Sequence, residues 1–171
     1  MTKFLFLPLL LFFSTAIFAQ EAVFNLKSTE VNVAEVAATG YSRDSTANAF
    51  YIYENGHSRF DNGNDYNLLT DYEAKIKIVN KEGFDHANIK IRLHNGSQGK
   101  EKLHDLKAST HYIENGKIKV QHLSQDQIFT EENPDHDLVK FTFPAVKPGA
   151  VLVFSYQKES PCLLYTSDAA D

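Results

Sequence analysis

The chain has 171 residues, of which 43% are hydrophobic and 23% are charged, and its 17 basic and 22 acidic side chains give a net charge of −5. These proportions are ordinary for a soluble globular protein, and the acidic balance argues against a nucleic-acid or anionic-membrane partner. Lys3, Asp168 and Asp171 lie outside residues 20–161, which keep 16 basic and 20 acidic residues, a net charge of −4, and enough length for one domain.

Residues 1–19 have the pattern of a secretory signal peptide. Lys3 supplies the positive start, an apolar run continues to Phe18, and Ala19 is a small residue suited to the position before a cleavage site. The run of about 15 apolar residues is shorter than the ~20 needed to span a bilayer, which favours cleavage over a membrane anchor. We therefore predict an exported protein, periplasmic or on the outer surface, without a membrane span after cleavage and with residues 20–43 as a lead-in segment.

Residues 162–171 resemble the translation of a sequencing-library adaptor over their whole length; the alternative is a genuine short polar tail. We therefore expect native sequence to end at Pro161 in a truncated reading frame, so that the domain at residues 44–161 is itself incomplete. Because Cys162 is the only cysteine, residues 20–161 contain no group for a disulfide, a thiolate metal site or a cysteine nucleophile.

Alternation of apolar and polar residues with a period of two dominates the chain from about residue 49 onward. Such alternation is typical of β-strands with one buried face. In residues 72–78 the even positions are apolar and the odd positions charged, which assigns Lys75 and Lys77 to the polar face. Residues 86–94, 117–121 and 139–143 alternate similarly, whereas residues 151–154 are apolar throughout, as in a strand buried on both faces. We predict an all-β fold, an antiparallel β-sandwich.

Turn signals separate these strands. Asn55-Gly56 and Asn115-Gly116 predict two-residue hairpins, because both central positions of a type I′ turn need positive φ. Further reversals are predicted at residues 81–83, 95–96 and 147–149, and Pro144 ends the strand before it.

At most one or two short helices are expected. Residues 29–39 have helical apolar spacing and are closed by Gly40, and Ser124 is positioned to cap a single turn over residues 124–127.

Neither a metal site nor a cofactor site is predicted. The seven histidines include no pair with the spacing that places two imidazoles on one helical face, and His86 and His94 are over 20 Å apart at ~3.3 Å per strand residue. These histidines are His57, His86, His94, His104, His111, His122 and His136. Residues 61–65 resemble the start of a calcium loop, but Gly63, Tyr66 and Tyr72 occupy positions where an EF-hand needs other residues. A polar turn is the favoured interpretation.

No catalytic residue is predicted either. The sequence lacks the glycine-flanked serine of a hydrolase elbow, so a hydrolase built from Ser97, Asp135 and His136 is a minor alternative. No phosphate-binding glycine motif supports nucleotide binding. Phe50, Tyr51 and Tyr53 are candidates for a sugar-binding platform, although packing in a strand explains aromatic residues equally well.

Four blocks of sequence, in order, are similar to a bacterial domain of unknown function that precedes transglutaminase-like domains in exported proteins of Gram-negative bacteria. They cover residues 44–49 and 51–56, residues 77–84, residues 115–118 with 123–124 and 128–129, and residues 139–144 with 146–149 and 154–156. The resemblance implies a β-sandwich placed ahead of a papain-like Cys-His-Asp domain that begins after Pro161. Its nucleophile is not Cys162, which lies outside every block.

The sequence therefore leads to a non-catalytic accessory domain of an exported transglutaminase-like protein, with that downstream domain as its partner in the same chain. The alternative is a protein of another functional class, a secreted adhesion or glycan-binding module. Export, the sandwich pattern and the tyrosines are also consistent with that function.

Overall fold

The structure, a computed structural model, describes residues 24–63, 66–96 and 99–161. These residues form nine strands, one α-helix and two short 3₁₀ helices. The strands are β1 (Ala49–Phe60), β2 (Leu68–Ile78), β3 (Asn88–Gly96), β4 (Gly99–Lys100), β5 (Lys102–Glu114), β6 (Lys117–His122), β7 (Phe129–Glu132), β8 (His136–Thr142) and β9 (Val151–Ser160). The helix α1 spans Val33–Ala37, and the 3₁₀ helices span Lys81–Ala87 and Gln125–Gln127.

The strands form two sheets that pack as a sandwich. The larger sheet has the order β1-β2-β9-β5-β6 and the smaller sheet has the order β4-β3-β8-β7, with every pairing antiparallel. Their facing sides share a core that includes Ile76, Ile91, Phe141 and Phe154. Phe154 contacts the rings of Phe141 and Phe143 edge to face. The predicted all-β antiparallel sandwich is confirmed.

The turn at Asn115-Gly116 forms as predicted. Both residues have positive φ, 51° and 72°, which is the requirement of a type I′ turn, and the turn joins β5 directly to β6. The reversal at residues 147–149 also forms, with Gly149 at φ 84° and the Ala150 amide donating to the Lys147 carbonyl at 3.0 Å. The strand over residues 151–154 is buried on both sides, as its apolar run predicts.

The hairpin predicted at Asn55-Gly56 is wrong. Both residues lie inside β1, where Asn55 pairs with Glu73 and Gly56 pairs with Tyr72. The chain reverses later, and the Asp61 amide closes that turn by donating to the Asn67 carbonyl at 2.8 Å. The position of the turn is set by pairing along the full length of β2. The Asn-Gly dipeptide alone does not determine it.

Residues 81–87 form a 3₁₀ helix, where the sequence predicts a turn followed by a strand from residue 86. His86 therefore lies in the helix, and β3 begins at Asn88. Gly83 is required here because an added Cβ would lie 2.2 Å from the Asn48 carbonyl oxygen, so no larger residue fits where the helix meets β1. The alternation in β3 is confirmed, with Ile91 and Leu93 buried.

The two predicted helical segments form, but the first is shorter than expected. Asn32 caps α1 by accepting from the Glu35 amide at 2.9 Å, and the helix ends at Ala37 instead of extending over residues 29–39. In the second segment the Gln127 side chain accepts from the amide and hydroxyl of Ser124. The predicted signal peptide at residues 1–19 and the predicted tail at residues 162–171 lie outside the described residues.

Candidate functional site

The outer side of the larger sheet, away from the sandwich core, is divided into two halves. We call residues 24–40, which contain α1, the strap. The strap lies over one end of this outer side, where strand pairing places Phe50, Lys77 and Val151 in one row and Tyr53, Lys75 and Val153 in the next. Directly paired residues of antiparallel strands share a face, so all of these side chains point toward the strap. These two rows form the covered half.

Lys75 and Lys77 are fully buried beneath the strap, with 0% of each exposed, which corrects their assignment to a polar outer face. The Lys75 ammonium donates to the Glu35 carboxylate at 2.8 Å and to the carbonyls of Asn25 and Glu30, each at 2.9 Å. All three of its donor protons therefore have partners. Lys75 and Glu35 form an ion pair in which neither side chain contacts solvent.

The Glu35 carboxylate also organises the strap itself. It accepts from the Asn25 amide at 2.7 Å and from the Asn32 amide at 2.9 Å, in addition to Lys75. Two chain turns and one strand of the sheet therefore converge on one side chain. Asn32 followed three residues later by Glu35 is a capping-box pattern, so the sequence contained a local signal for the contact with the Asn32 amide but none for the contacts with Asn25 and Lys75.

Lys77 is buried differently from Lys75, because the described residues offer its ammonium only carbonyl oxygens within hydrogen-bond distance. It donates to the Val36 carbonyl at 2.8 Å and to the Gly149 carbonyl at 2.5 Å. Burial lowers the pKa of Lys77 to about 8, and the charge of Glu35 opposes the decrease only in part. Burial also lowers the pKa of His111, which lies on the neighbouring part of β5, and the charge of His122 adds to that decrease.

Apolar side chains seal the covered half. Val36, Ile52 and Val151 are buried together, and Phe24 and Val31 of the strap pack against them. Ile52 faces this cluster together with Phe50, two residues earlier, and the bulge in β1 between Tyr51 and Tyr53 brings Tyr53 to the same side. The covered half therefore combines two buried ammonium groups with an apolar seal.

The open half continues along the same side of the same strands and carries polar side chains. One row contains Asn55, Glu73, Ser155 and Lys107, and the next contains His57, Asp71, Gln157 and His104. Asp71 pairs with Arg59, whose side chain is 45% exposed, and accepts from Gln157 at 2.7 Å. Hydrogen bonds from Gln157 and Arg59 hold the pKa of Asp71 below its usual range.

The aromatic residues considered for a sugar platform do not share a surface. Phe50 faces the strap, where it contacts Phe24 edge to face, and it also stacks on Tyr41, just after the strap, with ring centres 4.7 Å apart. Tyr53 lies on the same side but donates its hydroxyl to Glu73 at 2.5 Å. Tyr51 pairs with Ile76 and so belongs to the opposite side of the sheet. The three rings therefore form no common platform.

The residues of the hydrolase alternative are only partly brought together. His136 and Asp135 form a hydrogen bond of 2.7 Å, and Arg92 holds the same carboxylate at 3.0 Å. Hydrogen bonding to His136 keeps the pKa of Asp135 below its usual range. Ser97 lies outside the described residues, so the structure gives no position for a nucleophile beside this pair.

The structure describes all seven histidines and part of the segment that resembles a calcium loop. Asp61 accepts from the Gly63 amide at 3.0 Å in a local turn, whereas residues 64–65 lie outside the described residues. Among the described residues, no three His, Cys, Asp or Glu side chains cluster around a point where an ion would sit. Within the same residues, no helix is long and apolar enough to cross a membrane.

Comparison with known proteins gives one likeness in fold. No protein-family profile and no curated sequence matches this chain. A solved structure from Parabacteroides distasonis ATCC 8503, described as a "putative protease", is similar with a TM-score of 0.54 at 10% sequence identity. The likeness covers 66% of this chain but only 23% of that chain, so this chain spans less than a quarter of its structural neighbour. The comparison supports a shared β-sandwich fold.

Proposed function

We propose that this chain is a non-catalytic accessory β-sandwich of an exported transglutaminase-like protein, a papain-like thiol enzyme whose catalytic domain follows in the same chain. The observation that carries the proposal is the unequal coverage of the structural likeness, 66% of this chain against 23% of its neighbour. In the neighbour, this fold is one part of a larger protein. The ordered sequence blocks at residues 44–161 supply the finer assignment to the transglutaminase-like class.

The chemistry of the described residues agrees with an accessory role. The buried lysines donate to partners of the strap and the sheet, and in the open half Gln157 and Arg59 hold the Asp71 carboxylate. A domain of this kind positions, regulates or presents substrate to a neighbouring enzyme domain. Export through the signal at residues 1–19 places both domains in the periplasm or on the outer surface.

Recovery of the complete gene tests this proposal. We expect the reading frame to continue beyond residue 161 into a domain with Cys, His and Asp in papain-like roles. The longer protein is then assayed for thiol-dependent activity before and after alkylation, with the purified chain of residues 20–161 assayed in parallel. Activity that alkylation abolishes in the longer protein, with none in the shorter chain, supports the proposal. A gene without such a domain, or turnover by residues 20–161 alone, contradicts it.

A further inference from the structure

The strap is attached to the larger sheet almost entirely through side chains. Among the described residues, no backbone-to-backbone hydrogen bond joins residues 24–40 to a strand, and those within the strap join only its own turns. Among the described residues, Lys75 and Lys77 of β2 donate hydrogen bonds from the sheet to the strap. The strap can therefore leave the sheet without breaking any pairing between strands.

The apolar contact of the strap is small compared with the core of the sandwich. The strap contributes Phe24, Val31 and Val36 to the cluster beneath it, whereas Leu26 and Val33 remain 66% and 64% exposed. The core between the sheets contains twelve buried apolar residues, ten of them in strands of the two sheets. Because the free energy of a local opening follows the apolar surface that it uncovers, opening the strap costs less than unfolding the sandwich.

Opening also returns two cations to water. A buried ammonium loses hydration that its protein partners only partly replace, and this loss offsets part of the stabilisation from closing the strap. For Lys77 the described residues offer two carbonyls as replacement, and Glu35, whose charge acts on Lys77, is hydrogen-bonded to Lys75. Among the described residues, the Glu35–Lys75 contact is the ion pair that joins the strap to the sheet.

We propose that the strap opens as a unit while the sandwich stays folded, with the Glu35–Lys75 ion pair as its latch. Opening converts a sealed surface into one that presents two ammonium groups beside Ile52 and Val151. This device is independent of which domain follows the chain. It gives an exported accessory domain two surfaces, one closed and apolar-sealed and one open and cationic.

Native-state hydrogen exchange on the chain of residues 20–161 tests the proposal. The strap reporter is the Ala38 amide, which donates to the Ala34 carbonyl at 2.9 Å, and the sandwich reporter is the Phe143 amide, which donates to the Ala87 carbonyl at 3.0 Å. Each amide's exchange rate is expressed relative to the rate expected for that amide in an unprotected chain. On this scale we expect the Ala38 amide to exchange at least tenfold faster than the Phe143 amide. Low concentrations of guanidinium should accelerate Phe143 and leave Ala38 nearly unchanged, because a small opening exposes little surface.

Two substitutions separate local opening from global unfolding. Ile91→Val weakens the sandwich core and should accelerate exchange of Phe143 roughly fivefold, with Ala38 changed less than twofold. Glu35→Gln weakens the latch and should accelerate Ala38 tenfold or more. The matched control Glu131→Gln removes an exposed pair with Lys140 and should leave Ala38 unchanged. Equal acceleration of both amides by Ile91→Val would overturn the proposal.

Chemical labelling tests whether the opening uncovers the lysines. An amine-acetylating ester should modify Lys75 and Lys77 slowly in the unmodified chain, compared with the exposed Lys119. In Glu35→Gln, the labelling rate of Lys77 should increase by the same factor as exchange of Ala38, within about threefold. If Ala38 exchange accelerates while the two lysines stay unreactive, the strap does not leave the sheet and the proposal is wrong.

Discussion

The covered and open halves of the larger sheet lie on the same strands, but the covered half buries its ion pair and the open half exposes its own. In the covered half, Lys75 and Glu35 form an ion pair with 0% exposure, sealed by apolar side chains. In the open half, Arg59 and Asp71 form a pair with 45% and 47% exposure. The two pairs are only four residues apart along β2, so strand position alone does not determine their environment.

The difference shows that a charged pair contributes according to what replaces its water. A buried pair requires good geometry and several further hydrogen bonds to offset lost hydration, and the contacts of Glu35 with Asn25 and Asn32 meet that requirement. An exposed pair keeps its hydration and contributes little when it forms or breaks. Three changes sharpen this contrast.

The largest effect is expected from Lys75→Met, which leaves the Glu35 carboxylate buried without its cation. We expect the free energy of unfolding to decrease by about 3 kcal/mol, measured by urea denaturation followed by circular dichroism. Adding Glu35→Gln to the same chain should recover part of the loss, because no unpaired buried charge then remains. A loss below about 1 kcal/mol for Lys75→Met would show that the two halves do not differ in this way.

The lowered pKa of Lys77 should make the free energy of unfolding depend on pH. Its pKa is about 8 in the folded protein against 10.5 for the unperturbed side chain, so between these values the unfolded chain binds the proton more strongly. Stability therefore rises with pH over that window, and we expect a gain on the order of 1 kcal/mol between pH 8 and pH 9.5.

The same measurement on Lys77→Met supplies the control for that gain, which should disappear. In the unchanged chain, stability should decrease again above pH 10. Burial and the contact with Glu54 raise the pKa of Tyr72, so the folded protein holds this proton more strongly than the unfolded chain does. An identical rise from pH 8 to pH 9.5 in the variant would assign the effect to another group.

The smallest effect is expected in the open half. Arg59→Met removes the partner of Asp71 but leaves the carboxylate in contact with solvent and with Gln157. We expect the free energy of unfolding to change by less than about 1 kcal/mol, and by less still at 1 M salt. A change as large as that of Lys75→Met would remove the distinction between the halves.

Much of the fold was predictable because strand alternation and turn residues are visible in short stretches of sequence. The alternation of β3 and the positive φ at Asn115 and Gly116 follow from residues adjacent in sequence. The prediction failed at Asn55-Gly56, because pairing with β2 continues through those residues. The sugar platform also lost support, because the bulge in β1 puts Tyr51 and Tyr53 on opposite sides of the sheet and Phe24 of the strap packs against Phe50.

Local sequence was enough to predict antiparallel strands with alternating faces, since a period of two is a property of each strand alone. What covers each face depends instead on the packing of segments that are distant in the chain. Lys75 has the sequence neighbours of a solvent-facing residue, and its environment comes from Glu35, forty residues earlier in the chain. Burial depends on which distant segment packs against a surface, and no local pattern encodes that choice.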